Sequence, residues 1–550
     1  MPGHDFKVQA TRGFIWNYLY KISEFGLLTL YTILVVRRLG PEVSAPYSIF
    51  LAVAIALAMF GAFAVDGVLL RYIQRVVQNS DATVERFDSI ETLSLSHFLN
   101  TLLSFRLLTI TAIGLLVSVV LIVVPFVFPS TSGLFGSLQH EVPLLLVFLY
   151  AQAIVAFSTL ALTGLLETRR VFVASVVSRL LLIIAGFGLL QFGQITANRA
   201  IGVYVGSYII SAAILFASLR SVVRSHVQAQ GKTRHMSLKV MGRMIWSLVK
   251  APRQVAVLLA TPMMLYGITT WGNDILSMIL GKQSDVMVMG VMLGEHSAQI
   301  GFYQAASVVL LVTEYVFLFG LGGALTSVFS KLVHDDEHAT GGRGYPTLSK
   351  ARHEIAGSQN VLLIPLCIYV LFFTDTIVAA LFGPQFAEST PMIRVGLAAL
   401  ITSVGFFGGG MQITTLVAIG KERLVFRNRL FWGVANMAAN IPLIYYFGGM
   451  GALIGTQYAN LAAVAAEWYF SRSIVGNSTD ISGMLHILVA SVIATGISYL
   501  VLHTPLITVG PWPVAIGGGI INALLVLVLY RLFRVGEVDM LIRRLRSASS

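Results

Sequence analysis

Long stretches without a single charge recur along this chain, and no other feature narrows its fold so sharply. One of them, "SIFLAVAIALAMFGAFAV", runs from Ser48 to Val65. A helix rises about 1.5 Å per residue, so about 20 apolar residues cross the roughly 30 Å hydrocarbon layer of a bilayer. Inside that layer no water satisfies backbone N–H and C=O groups, which leaves helices or closed barrels. Barrel strands alternate apolar and polar residues. These runs are apolar throughout, so they read as helices. The chain is 56% hydrophobic and only 11% charged, whereas a soluble domain carries roughly 25% charged residues. A chain with so little charge cannot clothe a water-soluble globule. An all-α integral membrane protein is expected.

Apolar windows broken at charges, Gly and Pro predict about fourteen spans. They lie near 13–36, 45–70, 98–128, 142–165, 171–192, 200–220, 253–280, 298–329, 354–382, 392–417, 425–447, 451–471, 484–505 and 514–533. Lys and Arg collect on alternate connections, among them Arg71 and Arg75, Arg169 and Arg170, the block from Arg220 to Arg253, Lys421 to Arg429 and the tail from Arg531. The other side holds only Arg37, Arg38, Arg199, Lys282 and Arg394. The positive-inside rule then places both termini in the cytoplasm of a multi-pass protein of the cell (inner or plasma) membrane. It also explains the net charge of +12 without nucleic acid.

The connections near 71–97, 221–252 and 330–353 are the long ones, and none could house a soluble catalytic domain. No nucleophile paired with a base, no phosphate loop and no HExxH is present. An enzyme is not expected, nor a cofactor. The single cysteine, Cys367, sits in an apolar run, so no disulfide framework is expected. "MPGHDFKVQATRG" does not read as a cleaved signal peptide. The run "HDDEH" (334–338) contains metal-type ligands, but five consecutive residues on an inner connection read as a solvated patch, and no metal site is expected.

One turn occurs twice. "VVRRLGPEVSAPYSIF" (35–50) and "VMLGEHSAQIGFYQAA" (291–306) align at Leu39-Gly40 and Leu293-Gly294, with Tyr47 opposite Tyr303 and two extra residues in the second copy. Six spans and the basic segment separate them, so both turns face the same side. That is the pattern of two parallel repeats, the construction of transporters that place substrate between lobes. The expected organisation is an N-lobe over 1–220 and a basic linker over 221–252. A C-lobe over 253–475 and two extra spans with a basic tail over 476–550 follow. The two six-helix lobes would be pseudo-symmetric.

A resemblance rests on the same residues. "RRLGPEVSAPYSIFLAVAIAL" followed by "LLRYIQR" is similar to the opening of bacterial and archaeal polysaccharide-biosynthesis membrane proteins. These are the O-antigen-type flippases of the multidrug/oligosaccharidyl-lipid/polysaccharide exporter superfamily. "NDILSMILG", "IGFYQAA", "GYPTLSK", "LFGPQFAESTPMIRV" and "AIGKERLVFRNRLFWGVANMAANIPLIYYFGGMGALIGTQYA" follow in the family's order, over about residues 12 to 470. Ala45-Pro46 departs from it, since the family usually offers Gly just before the tyrosine. The resemblance implies translocation of a polyprenyl-pyrophosphate-linked oligosaccharide from the cytoplasmic to the outer leaflet by alternating access. Polysaccharide polymerase or ligase proteins are implied as partners.

Charges within spans are costly and read as functional unless they reach the interface or pair. Here they are Lys21 and Glu24 in span 1, Arg106 in span 3, Arg179 in span 5, Asp274 in span 7 and Glu314 in span 8. Arg179 lies roughly 13 Å along its helix from the Arg169–Arg170 pair, close to the midplane. In one reading, Lys21, Arg106 and Arg179 line a cavity and meet the anionic headgroup that the resemblance supplies. Asp274, Glu314 and Glu24 are then candidate Na+ or H+ sites. In the other, the charges are structural: Lys21 pairs with Glu24 three residues on, Arg106 snorkels or meets Asp66, and the rest pair between helices. Tyr150, Tyr204, Tyr266, Trp271 and Tyr315 could stack on sugars, or serve only packing and the interface.

Two other functions fit the same chain. One is an ion-coupled antiporter of drugs or small solutes; the other is a scaffold, without transport, for polysaccharide assembly enzymes. A single dominant acid in a narrow cavity favours the antiporter, several cations favour the flippase, and buried charge argues against the scaffold.

Overall fold

The computed structural model describes residues 2–78, 95–127, 138–193, 195–229, 261–318, 321–340, 344–476, 481–503, 510–533 and 535. Among them all regular structure is helical. In chain order the helices are α1 (Pro2–Ala62), α2 (Val65–Gln78), α3 (Leu95–Val127), α4 (Val142–Gly164), α5 (Thr168–Gln191) and α6 (Ala197–Ala229). Then come α7 (Pro262–Ile279), α8 (Lys282–Leu293), α9 (Ala298–Leu318), α10 (Leu321–Thr340), α11 (Pro346–Phe372) and α12 (Thr374–Leu381). The last are α13 (Ser389–Leu400), α14 (Met411–Ala418), α15 (Glu422–Val475), α16 (Ile481–Leu502) and α17 (Pro511–Leu532).

Ten of the described helical stretches are long and apolar enough to cross a membrane, or eleven if α7 and α8, bent by 51°, form one broken span. That does not reach the fourteen expected. Two of the ten, Leu19–Ala62 with 44 residues and Glu422–Val475 with 54, each have the length of two crossings. The expected eighth span meets the stretch 319–320, and the basic linker 221–252 falls mostly at 230–260; both stretches lie outside the described residues.

The two double-length helices break at glycine. Gly40 takes φ 79°, and Gly294, its match in the second turn, takes φ 86°. Only glycine holds that left-handed backbone without a side-chain clash. In α15 the break is Gly448, at φ 55° and ψ −133°. Its two arms then run close together. A methyl on Gly451 would sit 1.9 Å from the Leu443 carbonyl, and one on Gly455 1.9 Å from Asn440 Oδ1. Small residues at such a crossing let backbones approach. Gly451→Ala is therefore expected to cost about 1–3 kcal/mol by overpacking. Gly496→Ala, on a helix face with nothing within 4 Å, should leave the melting temperature in detergent unchanged.

The helices fall into two compact units. The first holds residues 1–35, 43–278 and 294–296, hence α1 to α7 apart from the turn at Gly40. There α4 packs on α2, α3 and α6, and α5 packs on α6. The second holds 36–42, 279–293 and 297–550, hence α8 to α17. In it α8 packs on α15, α9 on α13, and α14 on α10 and α15. The last two helices belong to this unit: α16 lies on α11 and α17 on α12. Ile364, Ile368, Met484, Ile487 and Val526 form their shared core, and the Tyr530 hydroxyl donates to the Val361 carbonyl at 2.9 Å.

Candidate functional site

The first unit holds a half-open pocket of about 170 Å³ whose polar residues are Asp66, Arg106, Gln152 and Asp274, the last of them exposed. Its floor is a corner. After α1, Ala64 takes φ 65°, the chain turns, and α2 begins with Asp66 in its first turn. A carboxylate there is favoured by the positive end of the helix dipole. α7 is drawn against this corner by two glycines. A methyl on Gly67 would meet Thr270 Oγ1 at 2.0 Å, and one on Gly267 the Ala64 carbonyl at 2.3 Å. Trp271 then donates from Nε1 to the Met59 carbonyl at 3.0 Å and packs on Phe63, ring centres 4.8 Å apart. One turn on, Asp274 faces the cavity.

Arg106, on α3, is 2% exposed and forms an ion pair with Asp66. The pair does not exhaust the cavity's polar atoms. Arg106 Nε and Gln152 Oε1 are buried without a hydrogen-bond partner among the described residues. Two carboxylates oppose one guanidinium here, so the cavity's side chains carry one net negative charge when all are ionised.

Arg179 lies elsewhere in the same unit. It is 1% exposed on α5, donates to Ser207 Oγ at 3.1 Å, and pairs with Glu24 Oε1 at 3.5 Å. Its guanidinium also stacks over Tyr208, 4.2 Å from the ring centre. Glu24 thus serves the buried guanidinium rather than Lys21 three residues away, because a charge shut inside the protein loses most without a counter-ion. Lys21 is exposed, with its Nζ 5.1 Å from the Tyr20 ring centre, and meets no carboxylate within ion-pair distance among the described residues. Sequence reasoning named Arg106 and Asp274 without seeing that they share a cavity, and held Asp66 only as an alternative partner. Gln152 it missed.

In the second unit Glu314 lies half-buried on α9, without an ion pair among the described residues. A stronger constellation there was not anticipated. Asp285, on α8, is fully buried and accepts from Asn440 Nδ2 at 2.7 Å, Thr456 Oγ1 at 2.7 Å and the Tyr303 hydroxyl. Asn436 closes the group, donating to Thr456 Oγ1 at 3.2 Å. The available signal was the spacing of Asn436, Asn440 and Thr456 within apolar runs. It was missed because 281–297 read as an outer connection. A second buried set joins Arg352 to Gln412 Oε1 at 2.6 Å and Ser471 Oγ at 3.1 Å.

In "HDDEH", Asp336 is buried and accepts from the backbone N–H groups of Thr347 and Leu348, at 3.1 and 3.0 Å, which caps α11. Its neighbours His334, Asp335, Glu337 and His338 are exposed. Among the described residues no three metal-type ligands converge. Of the aromatics, Tyr204 is buried in the Arg179 cluster, Trp271 lines the cavity, and Tyr150 bonds Thr111 at 2.7 Å. The side chain of Tyr315 lies outside the described residues.

No protein-family model and no curated protein matches the chain. Solved structures do. The chain is similar to the lipid II flippase MurJ in an inward closed conformation, with a TM-score of 0.63 and 15% identity over 94% of this chain and 98% of that one. It is similar to a multidrug resistance MATE family transporter of the MOP superfamily in an inward-facing conformation. That match has a TM-score of 0.56 and 16% identity over 83% of this chain and 98% of the other. An outward-facing structure of such a transporter matches with a TM-score of 0.52 and 15% identity, over 84% and 95%. At such identities the likeness is one of fold.

Proposed function

We propose that this chain, which shares its fold with exporters of the MOP superfamily, is a flippase. Its substrate would be a polyprenyl-pyrophosphate-linked oligosaccharide, moved from the cytoplasmic to the outer leaflet of the cell membrane by alternating access. The observation that carries this reading is the fold likeness to a lipid flippase over 94% of the chain. The cations of the first unit support it. Lys21, exposed and without an ion pair among the described residues, is the cation best placed to meet a pyrophosphate. Arg179 and Arg106 can join only by exchanging Glu24 and Asp66 for phosphate oxygens. That exchange couples headgroup binding to a change in the protein. Asp274, Glu24 and Glu314 are the carboxylates through which Na+ or H+ would act. Neither a catalytic step nor a cofactor enters, and a polymerase or ligase of polysaccharide assembly would take the product.

The test is reconstitution in vesicles with a fluorescent polyprenyl-pyrophosphate-linked sugar, following its accessibility to a membrane-impermeant quencher. Wild type is expected to exchange the lipid, and Lys21→Ala to slow it at least fivefold with unchanged melting temperature. A wild type that leaves the lipid in place ends the flippase reading. The MATE-like fold keeps one alternative alive, an ion-coupled antiporter of small solutes. Dye efflux along a sodium or proton gradient, with no lipid exchange, would establish it.

A further inference from the structure

The last turns of α10 carry a pair of imidazoles that headgroup binding does not use. His334 and His338 stand four residues apart on that helix, and residues at this spacing share one helix face. Their Nε2 atoms lie 3.2 Å apart and their ring centres 4.3 Å apart, edge to face. Both side chains are exposed, so the rings can turn without disturbing the core.

In the hydrogen-bonded pair, the N–H of one ring meets the lone pair of the other. Moving that proton from Nε2 to Nδ1 of its own ring leaves two lone pairs with nothing between them, and a metal ion can accept both. Metal–imidazole bonds measure about 2.0–2.1 Å. Two such bonds hold their nitrogens about 2.9 Å apart at a right angle and about 3.4 Å apart at the tetrahedral angle. The observed 3.2 Å falls between these limits, so the backbone already presents the pair at chelating distance.

The surroundings favour a cation. Asp335 and Glu337, both exposed, flank the pair in sequence, Asp336 is buried in the same turn, and the C-terminal end of a helix carries partial negative charge. Ligand chemistry selects among cations. Imidazole nitrogen suits zinc, copper and nickel, whereas magnesium and calcium prefer oxygen.

We propose that His334 and His338 bind one divalent transition ion of the zinc, copper and nickel group, with water in the remaining positions, and that the ion braces the end of α10 against α11. The two helices pack on each other. Between the two histidines in sequence, Asp336 holds the Thr347 and Leu348 N–H groups at 3.1 and 3.0 Å, and Glu337 accepts from the Tyr345 hydroxyl at 3.3 Å. An ion that fixes this turn of α10 therefore steadies the first turn of α11. The site does not depend on what the chain transports, and it stands or falls apart from the flippase reading.

The experiment is calorimetric titration with zinc chloride of the full-length chain, purified in detergent without a histidine tag and stripped with chelator. Nickel and magnesium are titrated in parallel. Wild type is expected to bind one zinc or one nickel, and no magnesium. His334→Gln and His338→Gln should each weaken zinc binding at least tenfold and leave the melting temperature of the metal-free protein unchanged, since both side chains are exposed. Adding A339H to H338Q restores the number of histidines but not their spacing, and should not restore binding. Saturating zinc should raise the melting temperature of wild type, as any ligand of the folded state does, and slow hydrogen exchange at the Thr347 and Leu348 amides. Neither effect is expected in the variant lacking both histidines. Zinc bound equally well by that variant would place the ion elsewhere and overturn the proposal. So would a folded wild type that binds no zinc, or full rescue by A339H, which would mean that no particular spacing is read.

Discussion

Arg179→Ala is expected to stop lipid exchange and to lower the stability of the first unit. The guanidinium is 1% exposed and lies against Glu24, Ser207 and the Tyr208 ring. Removing one partner of a buried ion pair costs about 3–5 kcal/mol, mostly because the other charge is left behind. Glu24 is 24% exposed and can recover some hydration, so the lower end, about 3 kcal/mol, is expected. Loss of exchange alone would not separate a working guanidinium from a structural one. Glu24→Gln does. If Arg179 must leave Glu24 to meet a headgroup, weakening that pair should raise apparent lipid affinity while lowering the melting temperature. Were the arginine structural only, Glu24→Gln would lower both stability and exchange, and the headgroup role would be lost.

The second large effect falls in the other unit. Asp285→Ala removes the nearest acceptor of three buried donors, on Asn440, Thr456 and Tyr303, and leaves Asn440 and Thr456 only bonds of 3.4 Å to Thr456 Oγ1 and Asn436 Oδ1. A buried donor that loses its acceptor costs about 1–3 kcal/mol, so a loss of about 3 kcal/mol is expected. For a unit of this size that lowers the melting temperature by roughly 6–12 °C. Asp285→Asn keeps the shape and one acceptor oxygen, and should fall between wild type and Asp285→Ala. A melting temperature within about 2 °C of wild type for Asp285→Ala would mean that the three donors find other partners, and that the carboxylate does not organise α8 against α15.

The membrane-embedded helical class was legible because it follows from composition and run length alone. Positions of the breaks were legible too: Gly40-Pro41, Gly383-Pro384 and the glycines of "FGGMGALIG" stand where helices turn, and Gly40, Gly383 and Gly448 all adopt positive φ. The span count was harder: α1 and α15 each carry two expected spans on one element broken at a glycine, Gly40 and Gly448.

Candidate charges could be picked out one by one, because a charge inside an apolar run is expensive wherever it lies. What those charges do to each other could not. Glu24 stands one helical turn from Lys21, yet its partner is Arg179 on α5; Asp285 finds Asn440 155 residues later. Local spacing describes one helix face, whereas ion pairs and cavities are set by which helices pack together. Only tertiary packing decided that Arg106, Asp66, Gln152 and Asp274 share one space. Desolvation is the reason: a charge shut away from water must take whatever partner the neighbouring helices bring.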